Sequence, residues 1–423
     1  MSVPQSAPGA APGTSTGDIR RYAIVTAAYW GFTLTDGALR MLVLLHFHTL
    51  GYTPFELALL FLLYELAGMA TNLVGGWVGA RFGLKLTLHL GLALQIVALA
   101  MLALLDPGWP DWTAVAYVVA AQGLAGIAKD LTKMSAKSAI KLVVPGESAG
   151  LLFRWVALLT GSKNALKGVG FFLGGALLGA AGFALSLWIM AGALGIVLLA
   201  VLAVLSGDLG RMKQKPAFAS LFAKSAAVNR LSAARFFLFG ARDTWFVVGV
   251  PVFLYDVLGW SFTEVGGFLA LWVIGYGFVQ AAAPALVRRS GDGVSHEVSA
   301  ARLWALLLAL LPAGIAYALD RPDLLAPDLA IILGLGLFGL VFAMNSALHS
   351  YLILAYTDRE RVALDVGFYY MANAGGRLLG TLLSGLAYQS HGITGCLLAA
   401  ALLAALSWLL ALRLPRNRQP VQA

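Results

Sequence analysis

Residues Gly51-Tyr52-Thr53-Pro54-Phe55-Glu56 are met again 208 positions later as Gly259-Trp260-Ser261-Phe262-Thr263-Glu264. At the same shift Asn72 falls on Gln280, Arg81 on Arg289 and Gly83 on Gly291. A shift of 210 lays Lys167 on Arg377, Gly170 on Gly380 and Gly175 on Gly385. Two nearly equal offsets at distant places mark a duplicated unit.

The unit is written mostly in apolar residues. Of 423 residues, 60% are hydrophobic and 12% charged, against about 25% charged in a soluble domain. Apolar stretches at about 22–49, 54–80, 86–105, 112–140, 151–179, 183–205, 228–257, 262–287, 299–319, 327–355, 362–389 and 392–412 are long enough to cross a hydrocarbon core, which takes roughly 20 helical residues. Outer-membrane strand patterning, with its alternation of apolar and polar residues, is absent. The sequence therefore predicts an all-α membrane protein of twelve transmembrane helices in two pseudo-symmetric six-helix bundles. The bundles span 20–205 and 228–412, joined by a cytoplasmic linker at 206–227. Residues 1–19, rich in Ala, Pro, Gly, Ser and Thr, read as a disordered cytoplasmic tail and not a cleaved signal; residues 413–423 form a second tail. Parallel repeats of this kind are a transporter architecture with the site between the halves near the midplane.

Charge fixes the orientation. One set of connections holds Arg20, Arg21, Arg81, Lys85, Lys137, Lys141, Arg211, Lys213, Lys215, Lys224, Arg288, Arg289, Arg359, Arg361, Arg413, Arg416 and Arg418. The alternate set holds one cation, Arg321, with Asp106, Asp111, Asp320 and Asp323. The positive-inside rule places both termini in the cytoplasm of a bacterial-type inner membrane. It also accounts for the net charge of +9 without nucleic acid. The single cysteine, Cys396, excludes an internal disulfide or a cysteine metal cage.

Ionisable residues at membrane depth cost about 2.5–3.5 kcal/mol each on insertion scales, so they point to function. Five cations lie deep: Arg40, Lys163, Lys167, Arg242 and Arg377. Three acids lie with them: Asp36, Glu65 and Asp243. The surplus of two positive charges predicts a multiply charged anionic substrate, since Arg offers a planar fork to phosphate or carboxylate and Lys a compact charge. Asn164, Tyr369, Asn373, Lys129 and Lys133 join the candidate binding residues. Lys129, Lys133, Lys137 and Lys141 form a stripe at four-residue spacing. For its outer members snorkelling is the plain alternative. Structural pairing stands beside binding for Arg40 with Asp36, which can neutralise each other, and for Arg242 and Asp243, each with a separate partner. Asp36, Glu65 and Asp243 are candidates for proton coupling. Tyr369 and Tyr370 either hydrogen-bond substrate or pack. Gly168, Gly170, Gly174 and Gly175 read as close helix contacts, and His46 and His48 as interfacial. No catalytic constellation, metal cluster or cofactor motif is present in the sequence, so neither an enzyme nor a cofactor is predicted.

The link Gly76-Trp77-Val78-Gly79-Ala80-Arg81-Phe82-Gly83-Leu84-Lys85 resembles the signature loop of the major facilitator superfamily, with Ala80 where that loop carries Asp. Three further strings go beyond it: Tyr29-Trp30-Gly31-Phe32-Thr33-Leu34-Thr35-Asp36-Gly37-Ala38-Leu39-Arg40-Met41-Leu42; Gly126-Ile127-Ala128-Lys129-Asp130-Leu131-Thr132-Lys133-Met134-Ser135-Ala136-Lys137-Ser138; and Thr160-Gly161-Ser162-Lys163-Asn164-Ala165-Leu166-Lys167-Gly168-Val169-Gly170-Phe171-Phe172. They resemble the ArsJ family of organoarsenical-efflux permeases over about 22–412. The resemblance implies export of 1-arseno-3-phosphoglycerate, made by a glyceraldehyde-3-phosphate dehydrogenase as functional partner, and hence arsenate resistance. Rival readings are an exchanger of organic phosphates such as phosphoglycerate, a membrane-embedded lipid-phosphate enzyme, and a non-transporting sensor.

Overall fold

Glycine turns set the topology. Four glycines take positive φ: Gly51 (89°), Gly182 (73°), Gly259 (70°) and Gly392 (59°). Only glycine enters this region without a Cβ penalty. Gly51 and Gly259 are 208 residues apart, and Gly182 and Gly392 are 210 apart. The duplication seen in sequence is therefore repeated in backbone conformation. So are the helix starts beside the first pair. Thr53 and Glu56 form a capping box at one, and Ser261 and Glu264 exchange the same bonds at the other.

A computed structural model describes residues 16–82, 84–106, 108–143, 149–205, 225–286, 294–357 and 362–416. These residues are nearly all helical and contain no strand. In the first half, α1 is Thr16–Thr49, α2 runs as Pro54–Leu60 and Leu62–Phe82, α3 is Leu84–Ala103, α4 Asp111–Val143, α5 Ala149–Ala181 and α6 Phe183–Val204. In the second, α7 runs as Ala226–Phe246 and continues through Gly249–Val252 and a π-turn at Phe253–Val257. Then α8 is Phe262–Leu286, α9 Ser295–Leu319 and α10 Pro327–Tyr356. Val362–Ala411 is broken at His391 and Gly392 into α11 and α12.

Nine stretches of described residues are long and apolar enough to cross a membrane. Two of them, Gly161–Val204 and Asp365–Ala411, reverse direction internally at Gly182 and Gly392. The 34-residue α1 is not among the nine.

Two predicted boundaries shift. The tail predicted over 1–19 ends earlier, because α1 already begins at Thr16; the sequence puts Asp18 in its first turn, where a helix N-terminus favours an acid. The linker predicted to 227 gives up its last residues to α7, where the Ser225 side chain accepts a bond from the Val228 amide at 3.3 Å. Residues 1–15 and 206–224 lie outside the described residues. So do Gly83, Arg288, Arg289, Arg359, Arg361 and Arg418, and the side chains of Lys137, Lys141 and residues 76–82 and 84 of the signature loop.

Packing divides the molecule across its thickness. On the face carrying the glycine turns (the far face), one apolar core merges both halves. Leu42, Phe47, Phe61 and Phe171 of the first half share it with Trp245, Phe338 and Cys396 of the second. On the opposite face, which carries Arg20, Ser225 and Arg413 (the terminal face), each half has its own core. One holds Tyr22, Phe32, Leu88, Ala136 and Val201 among α1, α3, α4 and α6. The other holds Val228, Leu352 and Tyr369. Among the described residues the halves thus share one apolar core at the far side and keep two at the terminal side.

Two seams join them. On one, α5 meets α8 so closely that a Cβ on Gly168 would stand 2.7 Å from the Ala270 carbonyl oxygen, and one on Gly266 2.8 Å from that of Phe171. On the other, α2 meets α11, where Gly385 lies against the Pro54 backbone. His48 and Asp256 pair across the far side at 2.9 Å, and the Phe55 amide donates to Gln389 at 3.2 Å.

Candidate functional site

The deep charges gather where the shared far-side core gives way to the two separate ones. They come from α1, α2, α4, α5, α7 and α11, and close glycine contacts hold those helices together. A Cβ on Gly170 would stand 2.5 Å from the Leu34 oxygen of α1, and one on Gly380 2.5 Å from the Gly240 oxygen of α7. Such approaches bring long side chains of facing helices within reach.

Glu65, fully buried on α2, is the hinge of the arrangement. Its Oε1 accepts from Arg377 Nη2 of the other half at 2.6 Å and pairs with Arg40 Nη1 at 3.4 Å. Arg377 in turn donates Nε to Asp243 Oδ2 at 3.0 Å. Arg242 Nε donates to the other oxygen, Oδ1, at 2.5 Å. The sequence neighbours Arg242 and Asp243 therefore pair with each other, and Asp243 also bonds across to α11. In the first half, Asp36 accepts from the Tyr64 hydroxyl at 2.6 Å and faces Lys167 Nζ at 3.7 Å. Lys129 sits over the Tyr64 ring, 3.8 Å from its centroid, a cation–π contact that a charge gains on an aromatic face. Lys133 pairs with Asp130 and donates to Asn72 at 2.7 Å. Thr71 also donates to Asp130, at 2.5 Å.

The remaining predicted residues are placed as follows. Lys163 is partly buried one turn from Lys167. Asn164 donates to Gln280 of α8 at 3.5 Å, across the halves. Asn373 accepts from Arg235 at 2.9 Å. Tyr369 is fully buried, with its ring 5.1 Å from the Arg235 guanidinium, so it meets the cluster through that side chain. His46 stacks on Phe183 at 4.0 Å, on the far side.

Sequence reading passed over Arg235 and Tyr64, and left Asp130, between Lys129 and Lys133, out of the count of deep acids. Arg235 stands near the start of α7, where a cation reads as snorkelling. The signal that exposes it is spacing: it lies seven residues from Arg242 and hence on the same helix face. With Arg235, Lys129, Lys133 and Asp130 included, the cluster holds eight cations and four acids, against the five and three counted from sequence. Some of the positive charge meets aromatic rings. Arg40 lies 5.1 Å from Phe61, and Arg242 4.9 Å from Phe239. Arg40 Nε and Nη2 and Glu65 Oε2 are buried without a hydrogen-bond partner among the described residues. Such groups are costly to bury unpaired. Among the described residues there is no His/Cys/Asp/Glu group able to hold a metal.

Comparison with known proteins agrees with this architecture. The family profile described as Major Facilitator Superfamily matches residues 23–319. No curated protein matches. Among solved structures, a POT family transporter in complex with a thioalcohol-conjugated peptide aligns with TM-score 0.73 at 11% identity, over 93% of this chain and 95% of that one. The human organic anion transporter MFSD10 aligns with TM-score 0.65 at 16% identity, over 93% and 99%. A bacterial homologue of the iron transporter ferroportin, in an outward-facing state, aligns with TM-score 0.64 at 16% identity, over 92% and 99%. These likenesses concern the fold. The chain belongs to the major facilitator superfamily and is a membrane transporter, not an enzyme.

Proposed function

We propose that the chain exports a multiply charged organic anion, 1-arseno-3-phosphoglycerate, by alternating access, and so confers arsenate resistance. The observation that carries this reading is the eight-to-four surplus of cations over acids at the junction of the halves. An anion entering this junction gains charge-assisted bonds that the four carboxylates cannot supply to every cation. With the far side closed by the shared core, the proposal has the ligand enter from the terminal side and meet Lys163, Lys167, Arg242, Arg377 and Arg40, with Lys129 and Lys133 along the approach. In this proposal twelve spans place both termini in the cytoplasm of the inner membrane, the linker at 206–227 joins two six-helix bundles, and a glyceraldehyde-3-phosphate dehydrogenase supplies the arsenate ester. Rocking of the halves about the bound anion would open the far side and release it. Asp36, Glu65 and Asp243 are each ion-paired, so coupling to protons through them requires the pair to break first.

The test is arsenate tolerance in a sensitive cell carrying the transporter and the dehydrogenase, with extracellular arsenic measured. Lys167→Gln and Arg377→Gln should each abolish tolerance when compared with wild type at matched membrane levels. Full tolerance in both variants would remove the reading. An organic-phosphate exchanger is the second reading, because the cations that would hold an arsenate group are equally ligands for a phosphate. Phosphoglycerate competing fully with the arsenical in vesicles, and exchanging in its absence, would select that reading.

A further inference from the structure

Among the described residues Arg235 is a buried cation without an acid. Only 4% of it is exposed, and no carboxylate among the described residues lies within ion-pair distance of it. Its bonds all go to neutral groups. Nε donates to Asn373 Oδ1 at 2.9 Å, and Nη1 donates to the Ser346 carbonyl at 3.1 Å and hydroxyl at 3.0 Å. Nη2 bonds to none of the described residues. The guanidinium lies 4.0 Å from the Phe239 ring centroid and 5.1 Å from that of Tyr369. These contacts hold the fork in a fixed plane and offset part of its desolvation, but they do not neutralise it. A positive charge removed from water in this way is strongly unfavourable until an anion joins it.

The surroundings lead to the seam between the halves. The Ser346 hydroxyl also meets Tyr276 at 3.2 Å and Gln280 at 3.4 Å. Gln280 accepts from Asn164 of α5 at 3.5 Å, next to Lys163 in sequence. Asn373 lies one helical turn below Arg377 on α11, and Arg235 two turns below Arg242 on α7. The two cationic levels are thus separated by roughly 5–10 Å along the helices. That is the reach of a three-carbon chain with an oxyanion at each end.

We propose that Arg235, planted by Asn373 and Ser346, recognises the second oxyanion of the substrate and makes the transporter select bis-anionic three-carbon esters over mono-anionic ones. The inference rests on the anion-transport reading above. The first oxyanion occupies the level of Lys167 and Arg377, and the second faces the Arg235 fork. Arg235 is a specificity residue in this arrangement, and Asn373 a positioning residue that acts through it.

The experiment compares binding of 3-phosphoglycerate, with a carboxylate at its far end, and glycerol 3-phosphate, with a hydroxyl there, to the full-length protein in nanodiscs. Wild type should bind 3-phosphoglycerate at least about tenfold more tightly, the value of one charge-assisted bond. Arg235→Gln should erase that preference, weakening 3-phosphoglycerate at least about tenfold more than glycerol 3-phosphate. Arg235→Lys should keep part of it, because charge remains and the fork is lost. Asn373→Ala should reduce it about threefold by loosening the fork. Retention of the full preference in Arg235→Gln would make Arg235 a structural tie and overturn the proposal. If that variant does not fold, full preference in both Arg235→Lys and Asn373→Ala overturns it equally. Equal binding of both probes by wild type refutes the second site while the anion reading stands. Binding of neither refutes both.

Discussion

The two halves carry corresponding ion pairs in two states of tightness, the acids lying one position off the 208-residue register. Lys167 of α5 faces Asp36 of α1, and its repeat partner Arg377 of α11 faces Asp243 of α7. The first pair stands at 3.7 Å and stays within its own half. The second closes to 3.0 Å, and the same guanidinium reaches Glu65 of the other half at 2.6 Å. The difference follows from the side chains. A guanidinium presents several donors in a rigid plane and can bridge two carboxylates, whereas an ammonium is a point charge on a flexible stem. One half therefore ties the transporter together, and the other keeps a cation that a ligand can capture at small cost.

The largest effect should come from cutting the tie. Arg377→Gln leaves buried Glu65 and Asp243 short of a partner, a defect worth about 3–5 kcal/mol when a buried pair is broken from one side. We predict a lower melting temperature in detergent as well as lost transport. A melting temperature indistinguishable from wild type would show that the tie bears little of the stability.

Glu65→Gln should come next. It loosens Arg377 from the first half without removing a cation, so we predict a population shifted toward an open far side. Cysteines placed at far-side positions buried between the halves, such as Phe171 and Phe246, would then react faster with a membrane-impermeant reagent. Unchanged labelling would mean that the packed seams alone hold that side closed.

Lys167→Arg sharpens the comparison in the other direction. A second fork at Asp36 should copy the tight pair, leave stability within about 1 kcal/mol, and slow transport by making release of the acid costlier. Wild-type transport would refute the claim that looseness in this pair matters. The smallest effect belongs to the half-exposed far-side pair. His48→Gln should cost no more than about 1 kcal/mol, as surface pairs do, measured by thermal melting.

Much of this comparison was legible before any coordinates. Offsets of 208 and 210 residues identified Lys167 with Arg377, and the helix ends fall close to the predicted spans because turn glycines and apolar runs are local signals. The cross-half bond from Glu65 to Arg377 was not legible. It joins residues 312 apart, and their meeting depends on how two bundles dock, which no local pattern encodes. Arg235 was obscured for a different reason. A cation near a helix end is ordinarily explained by water at that end, and only the converging Asn373 and Ser346 show that it turns inward. The repeat itself is silent on this residue, since Ala27 stands at the matching position.

The glycines of α5 bear on how such a molecule can move. Gly170 and Gly174 press α5 onto α1 in its own half, while Gly168 and Gly175 press it onto α8 in the other. On both sides backbone lies against backbone, with few side chains interlocked. A surface of that kind behaves as a smooth bearing: it resists pulling apart, yet lets one rod roll or slip along its neighbour without repacking. Bulk added at Gly168 would act as grit in that bearing, jamming the stroke while leaving the charged centre untouched.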